Sequence, residues 1–266
     1  MIDNKIQQEL RAKYNPDGSQ LRTVQLNLFD ILVEFDRICR KNNITYWIDS
    51  GTLIGAARHG GFIPWDDDLD VCILRKDRKR LKKALLSELK EPFCYEGKMR
   101  CWIKIVNRQI FVERRLPEPG NSGRTMLKKE NIWLDVFLET PGTASMSKKI
   151  TGFYGRCFRR LHKIIDDGPV KRTIGICLYP LARFIVFLAH IYGNCFHSST
   201  LIHEYGTGFF SERKTKDIFP LSEISFEGHM FMAPHDTQNY LQRIYDDWNS
   251  LPNKITTHNI ENVTIR

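Results

Sequence analysis

The sequence predicts an α/β (α+β) fold in which a mixed β-sheet core is flanked by helices and carries a helical, apolar insertion. Three observations predict it. An amphipathic helical pattern opens the chain, short β-like segments with one very acidic strand follow, and a long apolar stretch interrupts the second half. The 266 residues are enough for one large domain or for a domain with a sizeable insertion.

The first helix is predicted over residues 19–42. Apolar side chains recur there at steps of three and four residues, which is the spacing of one helix face: Leu21, Val24, Leu28, Ile31, Phe35 and Ile38. A short strand over residues 46–48 then leads into a turn, and a short helix is predicted over residues 53–58.

Strands dominate the next part of the chain. An acidic strand is predicted over residues 68–74, and a basic helix with Asp77 at its N-cap follows over residues 77–90. Further short strands are predicted over residues 93–95, 101–106, 109–114 and 132–138. The turn-forming residues 117–123 indicate a loop.

These patterns divide the chain into three predicted segments. Residues 1–140 form a catalytic core, residues 141–205 form a helical basic and apolar insertion, and residues 206–266 form a C-terminal module that completes the domain. The module is predicted to hold a hairpin over residues 224–232 and a helix over residues 235–245.

The insertion contains a strongly apolar run over residues 174–192. The run is nearly long enough to span a bilayer, but Pro180 and Arg183 interrupt it. Three interpretations stay open: a buried helix or helical hairpin, a surface helix that dips into a membrane interface, and a transmembrane span.

Charge and cysteine content restrict the partners and the compartment. The formal net charge of +9 favours anionic partners, namely nucleotides, phosphorylated glycans or an anionic membrane face, and we expect no nucleic-acid partner. The seven cysteines form no Cys-x-x-Cys pair, which argues against a zinc site and against a disulfide framework. The first residues lack the apolar core of a signal peptide. We therefore expect a cytoplasmic protein, with peripheral contact at the inner membrane face as an option.

The strongest chemical signal is a cluster of four carboxylates at Asp66, Asp67, Asp68 and Asp70. Two unit charges ~4 Å apart repel each other by roughly 4 kcal/mol at an effective dielectric constant of 20. The flanking residues are apolar, so the cluster is not a solvated acidic tail. It predicts a divalent metal site, and the alternative is an exposed acidic turn that ends a strand.

Strand alternation selects the ligands within this cluster. Successive side chains of a strand point to opposite faces, which places Asp66, Asp68 and Asp70 on one face and Asp67 with core residues on the other. Oxygen ligands of this kind suit Mg²⁺ or Mn²⁺. Asp135 stands alone in an apolar strand and supplies a third carboxylate for the site; the alternative is a hydrogen-bonded structural aspartate.

A second set of residues could hold phosphate groups. Gly51 and Thr52 open a helix at a strand end, where backbone N–H groups bind phosphate, and Ser50 adds a hydroxyl group. Lys104 and Arg108 lie between the acidic segments and could hold a diphosphate. Arg58 and His59 follow the same turn, and a surface position is an equal alternative for each of these four basic residues.

The motifs together resemble the signature of the LicD family. The resemblance covers roughly residues 25–140 and 215–260, and it is carried by the run from Ser50 to Ala56, the run from Gly61 to Asp70, and the strand from Trp133 to Phe137. Matches in the C-terminal part come in the expected order: Asp217–Leu221, Phe226–Gly228, Ala233–Pro234, Tyr240–Leu241, Tyr245–Trp248, Leu251–Pro252 and His258.

The resemblance implies a nucleotidyltransferase-like fold and a phosphocholine- or polyol-phosphate-transferring enzyme. It implies Asp68, Asp70 and Asp135 as metal ligands and catalytic residues, with Asp135 helping to deprotonate the acceptor. Gly51 and Thr52 would cradle the donor diphosphate, with Lys104 neutralising its charge. The implied donor is a CDP-activated alcohol, the acceptor is a hydroxyl group of a glycan or of a lipid-linked glycan, and the product besides the phosphodiester is CMP.

Three other functions remain open at this point. The same carboxylates would serve a nucleotidyltransferase that moves NMP from an NTP to a hydroxyl group. A non-catalytic binding module and a membrane scaffold built on residues 171–195 are the others. The transferred alcohol is also open: an aromatic cage would favour choline, and Trp65, Trp102, Trp133 and Trp248 are available for one.

Overall fold

The protein consists of a mixed β-sheet and a separate hairpin, flanked by helices. The computed structural model describes residues 2–97, 101–118, 121–161, 168–255, 257 and 260–265. The strands are β1 (Tyr46–Ile48), β2 (Asp70–Leu74), β3 (Phe93–Glu96), β4 (Trp102–Glu118), β5 (Asn121–Pro141), β6 (Thr200–His203), β7 (Arg213–Lys214), β8 (Ser222–Phe226), β9 (His229–Ala233) and β10 (Ile260–Ile265). The helices are α1 (Asn4–Tyr14), α2 (Gln20–Lys41), α3 (Ser50–Ile54), α4 (Arg78–Glu88), α5 (Ala144–Leu161), α6 (Pro169–Phe196), α7 (Thr215–Ile218) and α8 (Thr237–Tyr245).

The strands form a curled, mixed sheet around β5. The sheet order is β1-β2-β5-β4-β10, with β3 paired to β4, β6 paired to β5, and β7 paired to β6. The β2–β5 pair is parallel, and the other pairs among the described residues are antiparallel. Strands β8 and β9 form a separate hairpin. The predicted α/β class with helices flanking a mixed sheet is confirmed.

Helix α2 lies against the sheet and supplies much of the core. It begins after Ser19, whose hydroxyl accepts a hydrogen bond from the Arg22 N–H at 3.2 Å. Its buried apolar residues are Val24, Leu28, Ile31, Leu32, Phe35, Ile38 and Cys39. The helix predicted over residues 19–42 is therefore confirmed, whereas α1 was not predicted.

The β4–β5 hairpin is longer than the sequence indicated. The two strands predicted over residues 101–106 and 109–114 are one strand, β4, whose register against β5 shifts between Asn107 and Phe111. Asn131 donates hydrogen bonds to the carbonyl groups of Asn107 and Ile110, which holds this bulge in place. The predicted loop over residues 117–123 is also wrong where it can be compared, because residues 117–118 and 121–123 continue the strands. Pairing with the opposite strand outweighs the weak β propensity of these residues.

The segment before the acidic strand also differs from the prediction. Helix α3 starts at Ser50 rather than at residue 53, and a π-helical turn, Gly55–His59, continues it. Strand β2 starts at Asp70, so residues 66–69 approach the sheet in an irregular conformation. The predicted C-terminal hairpin and the following helix are found as β8, β9 and α8.

The insertion is mostly helical, but its end joins the sheet through β6. Helix α6 is long and apolar enough to cross a membrane by length and composition. Its buried residues are small apart from one histidine: Gly175, Ala182, Ala189, His190 and Gly193. Most of its large apolar side chains are exposed, so α6 is not a buried helix. Tyr179 packs against α5, and this pairing agrees with the helical hairpin that the same interpretation included. The three predicted segment boundaries stay predictions.

A buried ion pair joins the C-terminal half of the chain to the end of β1. The Arg213 guanidinium lies 2.9 Å from Asp49, and both side chains are at most 2% exposed. Tyr240 donates a hydrogen bond to Asp49 at 2.7 Å and accepts one from Arg213 at 2.8 Å. Burial by itself would raise the pKa of Asp49, but the Arg213 charge and the hydrogen bonds that Asp49 accepts together outweigh burial and hold that pKa well below its usual range. All seven cysteines are free thiols, as expected.

We predict that Arg213→Met destabilises the protein by about 3–5 kcal/mol, because Asp49 would stay buried without its counter-charge. Urea unfolding followed by circular dichroism measures the change. The matched control is Arg37→Met, since the Arg37–Glu34 pair lies at the surface and should contribute about 0–1 kcal/mol. Equal destabilisation by the two substitutions would contradict this account of the buried pair.

Candidate active site

The predicted acids lie in one cleft at the end of the β2–β5 pair. The cleft encloses about 650 Å³. Its walls come from the start of α3, the segment before β2, the middle of β4 and β5, and the segments around β6, β7 and the end of α8: Ser50, Gly51, Asp66, Asp68, Asp70, Trp102, Lys104, Asp135, Phe137, His203, Phe209, Ser211, Arg213, Ile244 and Tyr245.

Strand pairing brings the carboxylates together. Asp70 and Asp135 are direct partners on parallel strands, whose backbones lie about 4.8 Å apart. Asp68 is exposed and lines the same cleft, as does Asp66. Asp67 instead is buried and lies 2.6 Å from the Arg114 guanidinium. The cleft therefore contains the three predicted ligands together with Asp66, and Asp67 lies on the other side.

The electrostatics of the carboxylates suit a cation. Burial raises the pKa of Asp70 well above its usual value, and the charges of Asp68 and Asp135 raise it further. Burial also raises the pKa of Asp135. One carboxylate oxygen of Asp135, Oδ1, is buried and accepts no hydrogen bond from the described residues. A set of converging carboxylate oxygens that repel one another fits Mg²⁺ or Mn²⁺.

Lys104 is fixed beside these acids. It is the antiparallel partner of Asp135, and its Nζ lies 3.7 Å from Asp135 Oδ1 and 3.4 Å from the centre of the Trp133 ring. The Trp133 indole donates a hydrogen bond to Asp135 Oδ2 at 2.8 Å. Burial lowers the pKa of Lys104, and the neighbouring Asp135 opposes that effect. The ammonium group thus stands at the cleft wall, where it can meet an anionic ligand.

The turn after β1 only partly matches the prediction. Ser50 and Gly51 line the cleft, and Ser50 has a φ of 50°, a conformation that is uncommon for a residue with a side chain. A Cβ on Gly51 would lie 2.8 Å from the Asp66 carboxylate, so glycine lets that acid approach the turn. Thr52 is buried, and its hydroxyl accepts a hydrogen bond from the Asp70 N–H at 2.8 Å. Thr52 therefore anchors the acidic strand and does not face the cleft.

Three of the basic candidates lie elsewhere. Arg58 is buried and donates hydrogen bonds to the carbonyl groups of Trp248 and Ser250, each at 2.8 Å. His59 is buried against Gln7. Arg108 is exposed and lies 3.6 Å from Glu91. The assignment of Arg58 to the donor site is therefore wrong, because its guanidinium ties the C-terminal segment to the π-helical turn.

The four tryptophans that the sequence offers for an aromatic cage do not lie together in the structure. Trp102 lines the cleft, and it shares with Lys104 and Trp133 an adjacent hollow of about 460 Å³ whose wall includes Glu96 and Glu130. Trp65 packs against the rings of Tyr14 and His59. Trp248 packs against the main core. His258 lies outside the described residues.

The sequence did not indicate the back wall of the cleft. His203, at the end of β6, lies with its Nδ1 2.6 Å from Glu139, and its Nε2 lies 2.8 Å from an Arg213 nitrogen. Because arginine only donates, His203 Nε2 accepts and the ring proton is on Nδ1, facing Glu139. His203, Phe209 and Arg213 join the site from segments that no local pattern marks, whereas Tyr245 begins one of the family matches in the C-terminal part.

This back wall is not a second metal site. Ligand atoms of Asp49, Cys72 and His203 lie within 4.8 Å of one another, a spacing that a metal ion could use. However, an Arg213 nitrogen lies 2.9 Å from Asp49 and 2.8 Å from His203. The guanidinium charge therefore takes the place that a cation would need.

A turn from the C-terminal module supports the glycine-rich loop before the acids. Glu227, between β8 and β9, pairs with Arg22 at 2.6 Å and accepts a hydrogen bond from the Phe62 N–H at 3.0 Å. A Cβ on Gly61 would lie 2.2 Å from the Glu227 carboxylate. The module thus positions the loop that carries the chain into the acidic segment.

Comparison with known proteins agrees with this geometry. The model of the LicD/FKTN/FKRP nucleotidyltransferase domain matches residues 43–150, which include all three acids. The lipopolysaccharide cholinephosphotransferase LicD of Haemophilus influenzae is 43% identical, over 87% of this chain and 92% of that protein.

Two other relatives match over shorter stretches. The uncharacterized protein RP689 of Rickettsia prowazekii is 44% identical over 27% of this chain, and the match spans only 26% of that protein. The human ribitol 5-phosphate transferase FKRP is 53% identical over 34 residues, which are 13% of this chain and 7% of that protein. Because the similarity to the Haemophilus protein spans nearly both chains, the protein belongs to the LicD family.

Proposed function

We propose that the protein transfers a phospho-alcohol from a CDP-activated donor to a hydroxyl group of a cell-surface glycan or its lipid-linked precursor, releasing CMP. The observation that carries this proposal is the cleft in which Asp68, Asp70, Asp135 and Lys104 meet, in a member of the LicD family. The activities for which two relatives are named, a cholinephosphotransferase and a ribitol 5-phosphate transferase, support the same reaction class.

The cation in this proposal is Mg²⁺ or Mn²⁺, held by Asp68, Asp70 and Asp135. Such an ion would neutralise charge on the donor diphosphate and on the departing phosphate. Asp66 lies in the same cleft and is available as a further oxygen ligand or as an acceptor for a metal-bound water.

The protein's own groups act by positioning and by charge. Lys104 neutralises a phosphate oxygen, and Ser50 and Gly51 orient the donor from the opposite wall. The acceptor oxygen forms a bond to the phosphorus that carries the alcohol, while the bond from that phosphorus to the oxygen of CMP breaks. Asp135, whose pKa is raised by burial, accepts the proton of the acceptor hydroxyl. Catalysis of this kind rests mostly on positioning and electrostatic stabilisation.

The hollow beside the cleft suits the alcohol. It shares Trp102 and Lys104 with the cleft, so a donor diphosphate at the acids can extend into it. The Trp102 ring and Glu96 favour a cationic alcohol, since cations are attracted to aromatic faces and to carboxylates. Glu130 is already paired with Lys128 at 2.6 Å, and Lys104 already lies over the Trp133 ring. We therefore propose choline ahead of ribitol, glycerol or ethanolamine.

We place the reaction in the cytoplasm, at the inner face of the membrane. A lipid-linked acceptor would lie at that membrane, and both the net charge of +9 and the exposed apolar side of α6 suit work beside an anionic membrane. No nucleic acid is involved in this proposal.

The first test follows CMP release with Mg²⁺, a lipid-linked glycan preparation as the acceptor, and a panel of CDP-choline, CDP-ribitol, CDP-glycerol and CTP. We expect CMP from one CDP-alcohol, and we expect Asp68→Asn to lower the rate at least about 100-fold, as loss of a metal ligand should. Because Asp68 is exposed, its substitution should leave the fold intact.

The neighbouring acid gives a matched control. Asp67→Asn removes the same charge but breaks the buried pair with Arg114, so it should lower stability while the folded protein keeps its rate. Pyrophosphate released from CTP, with no CMP from any CDP-alcohol, would instead identify a nucleotidyltransferase. Unchanged activity in Asp68→Asn would contradict the assigned metal site.

A second test removes the cleft's ammonium group. We expect Lys104→Met to lower kcat/KM for the CDP-alcohol roughly 10²-fold, because a fixed charge next to the transferring phosphate contributes most in the transition state. Arg108→Met on the same strand is the control, since Arg108 is exposed and pairs with Glu91. Steady-state kinetics over a range of donor concentrations distinguish the two. Similar losses in both variants would mean that general positive charge, not the position of Lys104, is what matters.

A further inference from the structure

Helix α6 presents a large apolar face to the exterior. Ten of its large hydrophobic side chains are at least 39% exposed: Val170, Ile174, Ile176, Leu181, Phe184, Phe187, Leu188, Ile191, Tyr192 and Phe196. Exposed apolar patches of this extent mark interaction surfaces. We call this side of the helix the α6 face.

The opposite side of α6 is fixed to the rest of the protein. A Cβ on Gly193 would lie 2.0 Å from the Pro141 carbonyl oxygen at the end of β5, so the helix backbone touches the sheet there. Further along, Tyr179 of α6 stacks on Tyr154 of α5 with ring centres 5.8 Å apart. The helix therefore lies along the domain, with one side covered by protein and the α6 face outward.

A basic hollow adjoins the α6 face. It encloses about 480 Å³ and is lined by five basic residues, Arg75, Lys76, Arg78, Lys79 and Arg183, together with Phe187 of the α6 face. We call it the basic hollow. Glu204 is the acidic residue that lines the hollow. Its carboxylate pairs with Arg75 Nε at 2.6 Å and lies 3.1 Å from His190 Nε2. The charge inside the hollow is therefore strongly positive.

The groups that an anion in the hollow could reach are its exposed basic side chains, Arg75, Lys76, Lys79 and Arg183. Tyr205 also lines the hollow, but its hydroxyl is buried beside Gly142, where a Cβ would lie 3.3 Å from it, so it does not face the hollow. Guanidinium and ammonium groups bind phosphate oxygens through charge-assisted hydrogen bonds, so an anionic oxygen ligand suits this lining.

We propose that the basic hollow binds the phosphate of an anionic membrane lipid while the α6 face lies in the adjoining layer of lipid chains. Charge complementarity selects this occupant. An anionic bilayer offers phosphate oxygens beside apolar chains, in the same arrangement as the cations of the hollow beside the α6 face. A second copy of the chain, with a net charge of +9, would bring like charges together.

The basic hollow lies close to the cleft. Docking there would serve the proposed transfer reaction, and this part of the inference rests on that proposed function. His203 lines the cleft, and the next residues, Glu204 and Tyr205, line the basic hollow. Strand β2 likewise starts at Asp70 in the cleft and leads to Arg75, about 16 Å further along an extended chain. A protein docked in this way would hold its cleft within reach of a lipid-linked acceptor.

The test is vesicle co-sedimentation of the full chain without donor or divalent cation. The vesicles contain phosphatidylcholine alone or with phosphatidylglycerol, at low and high salt. We expect binding that requires phosphatidylglycerol and is released by salt. Each basic side chain near an anionic surface contributes roughly fivefold to partitioning, so Arg78→Gln/Lys79→Gln should weaken binding about 25-fold. Phe184→Ser/Phe187→Ser should weaken it more than about tenfold, through lost apolar burial.

The matched control is Lys82→Gln/Lys83→Gln, which removes the same charge from the same helix, α4, outside the hollow; it should change binding no more than about twofold. Equal losses in the two basic pairs, equal binding to phosphatidylcholine alone, or no binding to either vesicle would overturn the proposal. Inorganic phosphate and chloride are also compared at the same ionic strength. If phosphate releases the protein from the vesicles and chloride does not, the hollow is a site for free phosphate and the proposal is overturned.

A second measurement addresses the alternative occupants. Sedimentation velocity should show that the chain without vesicles remains a monomer, and self-association abolished by Phe184→Ser/Phe187→Ser would assign the α6 face to a second copy. Protein that resists both salt and alkaline carbonate extraction would assign α6 to a membrane span. Since no donor is present, these outcomes are independent of CMP release, so failure of the reaction and failure of the docking can be told apart.

Discussion

The parallel pairing of β2 with β5 is the constraint on which the rest of the site depends. It places Asp70 directly beside Asp135, in surroundings where burial raises the pKa of both acids and repulsion from Asp68 and Asp135 raises that of Asp70 further. Each supporting contact keeps this arrangement in place: the Thr52 hydroxyl holds the start of β2, and Trp133 and Lys104 hold Asp135. Several contacts thus hold acids whose charges repel one another, which is the pre-organisation that the proposed metal site would need.

Beneath the cleft, buried charges connect segments that are distant in sequence. Asp49 follows β1, Arg213 lies in β7 and Tyr240 lies in α8, and the three are joined by hydrogen bonds of 2.7 to 2.9 Å. The same guanidinium orients His203 at the cleft wall. The C-terminal module therefore contributes to the site in two ways, through this network and through the contact of Glu227 with the glycine-rich loop.

The insertion changes the surface of the protein more than its core. Its helices add an apolar face and a basic hollow next to the cleft, while β6, at its end, completes the sheet and delivers His203 to one side and Glu204 to the other. The sheet therefore connects the catalytic cleft to the surface that we assign to the membrane. Both would serve the transfer to a lipid-linked acceptor that we propose.

The sequence by itself determined those features of the fold and of the site that a short stretch of residues encodes. The spacing of apolar residues marked α2. The sequence also grouped Asp66, Asp68 and Asp70 apart from Asp67, although residues 66–69 are irregular and the strand alternation assumed for them does not hold. The isolated acid in an apolar strand marked Asp135. Only the tertiary structure decided which basic groups reach the acids, because Lys104 and Arg108 look alike in the sequence and differ only in register and burial. It also turned Arg58 and Thr52 away from the cleft and brought in His203 and Arg213. Such contacts depend on strand order and long-range pairing, which no short stretch of sequence encodes.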